Sequence, residues 1–277
     1  VVRQDVEAFA ERRRALVAVA EGVSLEVPAE GDGEPLLLLP GFGTDVSAFA
    51  RQVPPLAERL RVLGVNPRGV GLSDAPVQEV YEVATAAADA AAVADAPAHV
   101  VGASLGAAVA IELALAHPAR VRSLVLITPF AVAGPRLLAV IDAWCGLAAE
   151  ARPETLARTL LPWLFSEAFL ADARARERTA RGLAQIAARV PAPTLERSAA
   201  GLRAWSGTRG DALGRIEVPT LVVAAAGDLL TPGAEAIAAA IPGAQTLVVP
   251  DAGHAVALEA PDAVNAAIAS HLARAKR

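Results

Sequence analysis

The chain has 277 residues, 54% of them apolar, and a formal net charge of −5, which suits one large α/β domain with an inserted subdomain and a sizeable core. The negative balance provides no basic field, which excludes nucleic acid and anionic membrane surfaces as electrostatic partners. The single cysteine, Cys145, forms no internal disulfide or metal cluster and fits a reducing, cytoplasmic setting.

The first fourteen residues read as a charged helix. Arg12, Arg13 and Arg14 precede an apolar run, as in a secretory signal. That run, Ala15 to Ala20, is shorter than a secretory core and is followed by Glu21. No apolar stretch approaches the ~20 residues that span a bilayer. We therefore expect an unexported protein that does not enter a membrane. Ala15 to Val27 is predicted as a hairpin turning near Glu21-Gly22, and Gly31-Asp32-Gly33 as a turn. Leu36 to Leu39 is wholly apolar, the pattern of a strand covered on both faces. A helix is predicted from about Asp45 to Leu60, a strand over Val62 to Val65, and a helix from about Tyr81 to Asp95. Val100-Val101 ends the next strand, Leu105 to His117 is a helix closed by Pro118, and Val121 to Ile127 is a strand.

After Pro129 the alternation stops. From Phe130 to about Leu213 only helical stretches rich in Ala, Leu and Arg are predicted. Strand–helix alternation resumes with Thr220 to Ala224, a helix near Ala234 to Ala240, Thr246 to Val249 and a last helix from about Pro261. Such alternation implies an α/β fold, a mostly parallel sheet with helices on both faces. Residues 1–129 and 214–277 are expected to form the core and residues 130–213 an inserted helical cap.

Gly102-Ala103-Ser104-Leu105-Gly106 is a G-x-S-x-G pentad placed where a buried strand ends and a helix begins. There a serine can sit on a strained turn, provided that the residues two before and two after are small. Ser104 is the candidate nucleophile; the bland alternative is a helix-capping serine. A serine hydroxyl needs a base, and histidine serves at neutral pH. Of the four histidines, His99 lies within a strand, His117 at a helix end before Pro118, and His271 in the C-terminal helix. His254 alone follows a strand in a loop, where open α/β sheets carry their chemistry. The acid is expected between serine and histidine in chain order. Asp228 fits, at the end of the strand from Thr220; Asp211 and Asp251 are its competitors, and capping of the next helix is its bland alternative. The turn Leu39-Pro40-Gly41-Phe42-Gly43-Thr44 follows the first buried strand. It supplies the Phe42 N–H, paired with the Leu105 N–H, as the expected oxyanion donors.

Pro40-Gly41-Phe42-Gly43, Pro67-Arg68-Gly69-Val70-Gly71-Leu72-Ser73-Asp74, the pentad, Asp228 with Pro232, and Gly253-His254 arrive in one order. Together they resemble the α/β-hydrolase superfamily, in particular small bacterial serine esterases, 3-oxoadipate enol-lactonases and cofactor-free haloperoxidases. The resemblance implies an eight-stranded sheet with a helical cap, a Ser104-Asp228-His254 triad, and no metal or organic cofactor. It also implies cleavage of a small apolar carboxylic ester or lactone through an acyl-enzyme. Members commonly carry histidine at the positions of Pro40 and Ala103 and aspartate at that of Asn66. A carbon–carbon bond hydrolase of the same fold is the first rival, and a hydrolase-fold ligand sensor the second. All three tryptophans, Trp144, Trp163 and Trp205, fall between residues 130 and 213 with Phe165 and Phe169. At least one aromatic ring there is expected to roof an acyl pocket above Ser104; Trp144, Trp163 and Phe130 are the expected substrate-binding residues.

Overall fold

The computed structural model describes residues 14–275. Its strands are β1 (Arg14–Ala20), β2 (Val23–Glu30), β3 (Glu34–Leu39), β4 (Leu60–Gly64), β5 (Ala98–Ala103), β6 (Val121–Ile127), β7 (Thr220–Ala225) and β8 (Gln245–Val249). They form one sheet in the spatial order β1-β2-β4-β3-β5-β6-β7-β8. β1 and β2 make the expected hairpin, and Gly22 at φ 67° takes the left-handed turn position. β2 meets β4 antiparallel through Ala29 and Glu30, and every later pairing is parallel. The helix expected over residues 1–14 lies outside the described residues, except for Arg14, whose backbone opens β1.

The central strands are apolar at consecutive positions because both faces are covered. Leu37 and Leu39 enter one core layer with Val100, Leu124, Leu126 and Val222. Leu36 and Leu38 enter the other with Val101, Val125, Ile127 and Val223. This is the two-residue period of a strand, read out on two hydrophobic layers rather than one. Each leucine so buried contributes about 1.5–3 kcal/mol relative to exposure.

The helices are α1 (Val53–Ala57), α2 (Val83–Val93), α3 (Leu105–Ala116), α4 (Pro135–Glu150), α5 (Pro153–Leu164), α6 (Glu167–Ala171), α7 (Ala173–Ala187), α8 (Ala192–Trp205), α9 (Ala234–Ala240), α10 (Val256–Glu259) and α11 (Pro261–Ala275). The long helix expected over Asp45 to Leu60 is instead a 3-10 turn, Val46–Phe49, followed by the short α1. Pro54 and Pro55 account for the difference. Proline is tolerated in a first helical turn but not within a helix, so the helix must start there. β4 then begins at Leu60, two residues earlier than predicted. The four-residue α10 was not foreseen. Between β6 and β7 all described regular structure is helical, α4 to α8 and a 3-10 turn over Gly210–Arg215.

Two polar anchors hold this insert to the sheet. Arg189, just after α7, lies 2.9 Å from Glu26 Oε2 and 3.0 Å from Asp45 Oδ2. Asn66 Nδ2 donates to the same Glu26 oxygen at 2.8 Å, and Asn66 Oδ1 accepts the Val46 N–H. An aspartate at position 66 would set a second carboxylate against Glu26, whereas the amide donates to it. At the other end of the insert, Arg209 Nε and Nη2 donate to Glu112 of α3, and Trp205 Nε1 donates to Glu112 Oε2 at 2.9 Å.

Candidate active site

β5 ends at Ala103 and α3 begins at Leu105, so Ser104 alone makes the turn between them. It does so at φ 52°, ψ −114°, with its N–H bonded to the Ile127 carbonyl of β6. Only Ser104 and Thr128 among the described non-glycine residues have positive φ; such a conformation costs on the order of 1–3 kcal/mol and persists where the surroundings over-determine it. Those surroundings are glycine-dependent. A Cβ at Gly102 would lie 2.2 Å from the Gly106 carbonyl oxygen, and one at Gly106 would lie 2.0 Å from that of Leu39. The serine makes no side-chain cap bond to α3. The capping explanation is therefore not realised.

The same closeness brings the Gly41–Thr44 turn onto the candidate nucleophile: a Cβ on Gly41 would sit 3.4 Å from Ser104 Cβ. Among the described residues neither the Phe42 nor the Leu105 N–H is paired with a protein acceptor. Leu105 opens α3, where the first amides have no acceptor within the helix. The two expected oxyanion donors are thus both open and both beside Ser104.

Two loops carry the remaining groups. The Gly227 N–H donates to the Ala252 carbonyl at 3.0 Å, pressing the turn after β7 against the loop after β8. Across this contact His254 Nδ1 lies 3.0 and 2.9 Å from Asp228 Oδ1 and Oδ2. Both side chains are buried. A proton on Nδ1, assigned here from its carboxylate partner, leaves Nε2 as the acceptor. Asp228 Oδ1 also accepts the Leu230 and Thr231 N–H groups. Burial would raise the Asp228 pKa, but the His254 ring and the Thr231 donors outweigh it and hold the carboxyl below the usual carboxylate range. Asp211 and Asp251 are exposed, and among the described residues neither is hydrogen-bonded to the ring. His99 is buried against Ser123 Oγ, His117 ends α3, and His271 is buried in α11. No hydrogen bond joins Ser104 Oγ to His254 among the described residues; contacts of this kind commonly tighten only once a substrate is bound.

Three positioning groups were not anticipated from the sequence. Thr231 Oγ1 lies 2.8 Å from Asp228 Oδ2, 3.0 Å from the Thr128 carbonyl and 3.3 Å from His254 Nδ1. Thr128, at φ 44°, donates its own hydroxyl to the His254 carbonyl. Glu259 Oε1 accepts the Gly253 N–H at 2.8 Å and the Ser166 N–H at 3.1 Å, so it joins the histidine loop to the insert. The only advance signals were Thr231 within Asp228-Leu229-Leu230-Thr231-Pro232 and a β-branched residue before Pro129.

Ser104 and His254 border one cavity of about 130 Å³ between the sheet and the insert. Its insert wall includes Leu137, Ile141, Trp144, Leu160, Phe165 and Leu183, and no Asp, Glu, Lys or Arg lines it. Trp144 is where the sequence suggested, stacked on Phe42 with ring centroids 6.4 Å apart. Trp163 and Phe130 are not among the lining residues. Phe130 packs edge-on against Trp205 at 6.0 Å. Trp163 is one residue, or about 100° of helix, away from the lining Leu164. A second cavity of about 80 Å³ shares the Gly41–Thr44 turn and includes the buried Arg68–Asp89 ion pair. Among the described residues no group of His, Cys, Asp and Glu could hold a metal ion, and no helix is long and apolar enough to cross a membrane.

A serine on a strained turn at the end of β5, an Asp–His pair after β7 and β8, and this strand order define a class. The chain belongs to the α/β-hydrolase fold family, whose pattern matches residues 34–261. It is 32% identical over 258 residues to a Variovorax paradoxus protein provisionally named carbamate hydrolase RutD, covering 90% of this chain and 95% of that one. Among solved structures it is similar to a thermophilic esterase from Thermogutta terrifontis (25% identity, TM-score 0.83, 95% of this chain and 99% of that one). It is likewise similar to the enol-lactonase from Burkholderia xenovorans LB400 (26% identity, TM-score 0.82, 93% and 99%).

Proposed function

We propose that the protein hydrolyses a small, apolar, uncharged carboxylic ester or lactone through an acyl-enzyme. The observation that carries this reading is the buried His254–Asp228 pair, whose histidine lines the same cavity as Ser104 on its strained turn. Ser104 Oγ attacks the carbonyl carbon while His254 Nε2 takes its proton. The Phe42 and Leu105 N–H groups receive the oxyanion. Collapse expels the alkoxide, which leaves as alcohol with the proton from the imidazolium. Water, deprotonated by the same ring, then releases the acid and restores the serine. Asp228 holds Nδ1–H and stabilises the imidazolium. Residues 130–213 serve as the cap and residues 1–129 with 214–277 as the catalytic body, in a cytoplasmic enzyme without a cofactor.

The relative provisionally named a carbamate hydrolase introduces a second substrate class, since a carbamate carbonyl could be attacked in the same way. The cavity lining favours the ester: it has room and apolar surface for an acyl chain, and a compact polar carbamate would leave that surface unused. Purified protein should be assayed against short esters, lactones, carbamates and vinylogous diketones, with Ser104→Ala beside it. Esters or lactones should turn over best, and Ser104→Ala should lower kcat by 10⁴-fold or more, on the order seen for loss of such a nucleophile. Best turnover of diketones or carbamates, or an active Ser104→Ala enzyme, would replace this reading.

A further inference from the structure

The insert contains two tryptophans buried to almost the same extent, Trp205 at 5% and Trp144 at 6% exposure, and they are treated differently. Trp205 Nε1 donates to Glu112. Trp144 Nε1 is buried and has no hydrogen-bond partner among the described residues. Buried polar groups are as a rule paired, and a lone donor calls for an account. Trp144 borders the Ser104 cavity, whereas Trp205 does not. The other polar side chains of that lining are engaged or belong to the proposed chemistry. Thr44 Oγ1 donates to the Gly41 carbonyl and Thr128 Oγ1 to that of His254, leaving Ser104 and His254. The Trp144 ring is also fixed in place by its stacking on Phe42, the residue assigned an oxyanion donor.

We infer that Trp144 is a specificity-determining residue whose indole N–H receives a neutral hydrogen-bond acceptor, an ether or ketone oxygen, carried on the acyl chain of the substrate. This rests on the hydrolase reading above and narrows its substrate class. The acceptor is neutral because no cation lines the cavity to balance a carboxylate. A plain hydrocarbon chain would fill the same space but leave the N–H unpaired, and a site built around a donor discriminates against ligands lacking its partner.

Two measurements test this. First, p-nitrophenyl hexanoate is compared with its 3-oxa, 4-oxa and 5-oxa analogues in wild type and in Trp144→Phe, which keeps an aromatic ring against Phe42 but removes the N–H. Dividing each wild-type preference by that of the variant cancels the esters' intrinsic reactivity. For at least one position the preference for the oxa ester should fall about tenfold in the variant, the worth of one hydrogen bond. Preferences equal in both proteins at all three positions overturn the inference, while hexanoate turnover by wild type leaves the hydrolase reading standing.

Second, the indole N–H resonances of wild type, one for each of the three tryptophans, are followed by proton–nitrogen correlation during titration with 2-heptanone. Trp163→Phe and Trp205→Phe identify the Trp144 signal without relying on the fold of its own variant. That signal should move downfield and saturate, with the other two nearly still. A Trp144 signal that does not move downfield under saturating ketone overturns the inference, even if no ester is turned over at all.

Discussion

The carboxyl end of the sheet and the helical insert above it are built by opposite rules. At the sheet end polar groups converge and are mutually satisfied: Asp228 accepts two backbone N–H groups and faces both Thr231 and His254. Backbone there is held where no other residue fits, as Gly102 and Gly106 show. On the insert's cavity face there is instead a wall of leucine, isoleucine and aromatic side chains with a single unpaired donor. The first arrangement tolerates almost no displacement and sets the reaction type. The second can change side-chain size while keeping its helices and, on the proposed function, sets which acyl group fits. Chemistry and selectivity are therefore separable here, and substitutions on the two sides should fail in different ways.

The largest effect should come from the sheet side. Asp228→Asn preserves shape but cannot hold the required imidazole tautomer, so kcat should fall by roughly 10³–10⁴ with a normal circular dichroism spectrum. Asp251→Asn, on an exposed residue of the same region, should stay within about twofold. A reversal of these two would mean that the wrong acid has been chosen. Thr231→Val removes one donor to Asp228 and should cost about tenfold in kcat. A change in KM alone would assign Thr231 to the cavity wall instead.

The insert should respond in selectivity. Leu183 of α7 lines the cavity, and Leu183→Trp fills acyl space. KM for p-nitrophenyl octanoate should rise at least tenfold more than KM for the acetate, since a few methylenes in an apolar pocket are worth that much. Trp163→Ala, outside the lining, should leave the octanoate-to-acetate ratio within about twofold. If Trp163→Ala shifts that ratio and Leu183→Trp does not, the cavity wall has been misplaced and the comparison fails on its insert side.

This division also explains what could be read from sequence. The candidates Ser104, Asp228 and His254 could be picked out because each lies in the connection that follows a strand, and because an elbow demands small residues at fixed offsets. β6 and α9 matched their predicted bounds for similar reasons, as short apolar runs between clear breakers. The expected Asp45–Leu60 helix fails at Pro54-Pro55, where a helix can begin but not continue. The tryptophans were harder. Leu156, Leu160 and Leu164 of α5 share one stripe and reach the cavity, whereas Trp163 sits off that stripe and packs elsewhere. A helix's apolar pattern shows that it has a buried face, but not whether that face meets a cavity or another helix. Thr231, Thr128 and Glu259 were hidden for a related reason, because their roles exist only after distant loops meet.

The smallest expected effect concerns the anchor between the two regions, and its sign can be worked out. Burial alone would raise the Glu112 pKa, but hydrogen bonds from Arg209 and Trp205 and the nearby guanidinium charge outweigh it, so the folded value is lowered. The unfolded chain then binds a proton more readily than the native one. Stability from this group is present above the unfolded pKa, near 4.3, and is lost as pH falls through and below the folded value. Glu112→Gln keeps an acceptor for Trp205 but removes the ion pair. At pH 7 it should destabilise by about 1.5–3 kcal/mol, the range for a hydrogen bond to a charged group. That difference should shrink as pH drops below about 4, where the wild-type carboxyl is itself protonated. Urea unfolding followed by tryptophan emission at pH 7 and pH 3 measures it, because all three tryptophans lie in the insert region. With neutral Glu112 the Arg209 contact weakens first, so emission should respond to acid before far-ultraviolet circular dichroism does. Coincident transitions at every pH would show the insert and sheet to unfold as one unit, and the two regions would then be distinct in chemistry but not in stability.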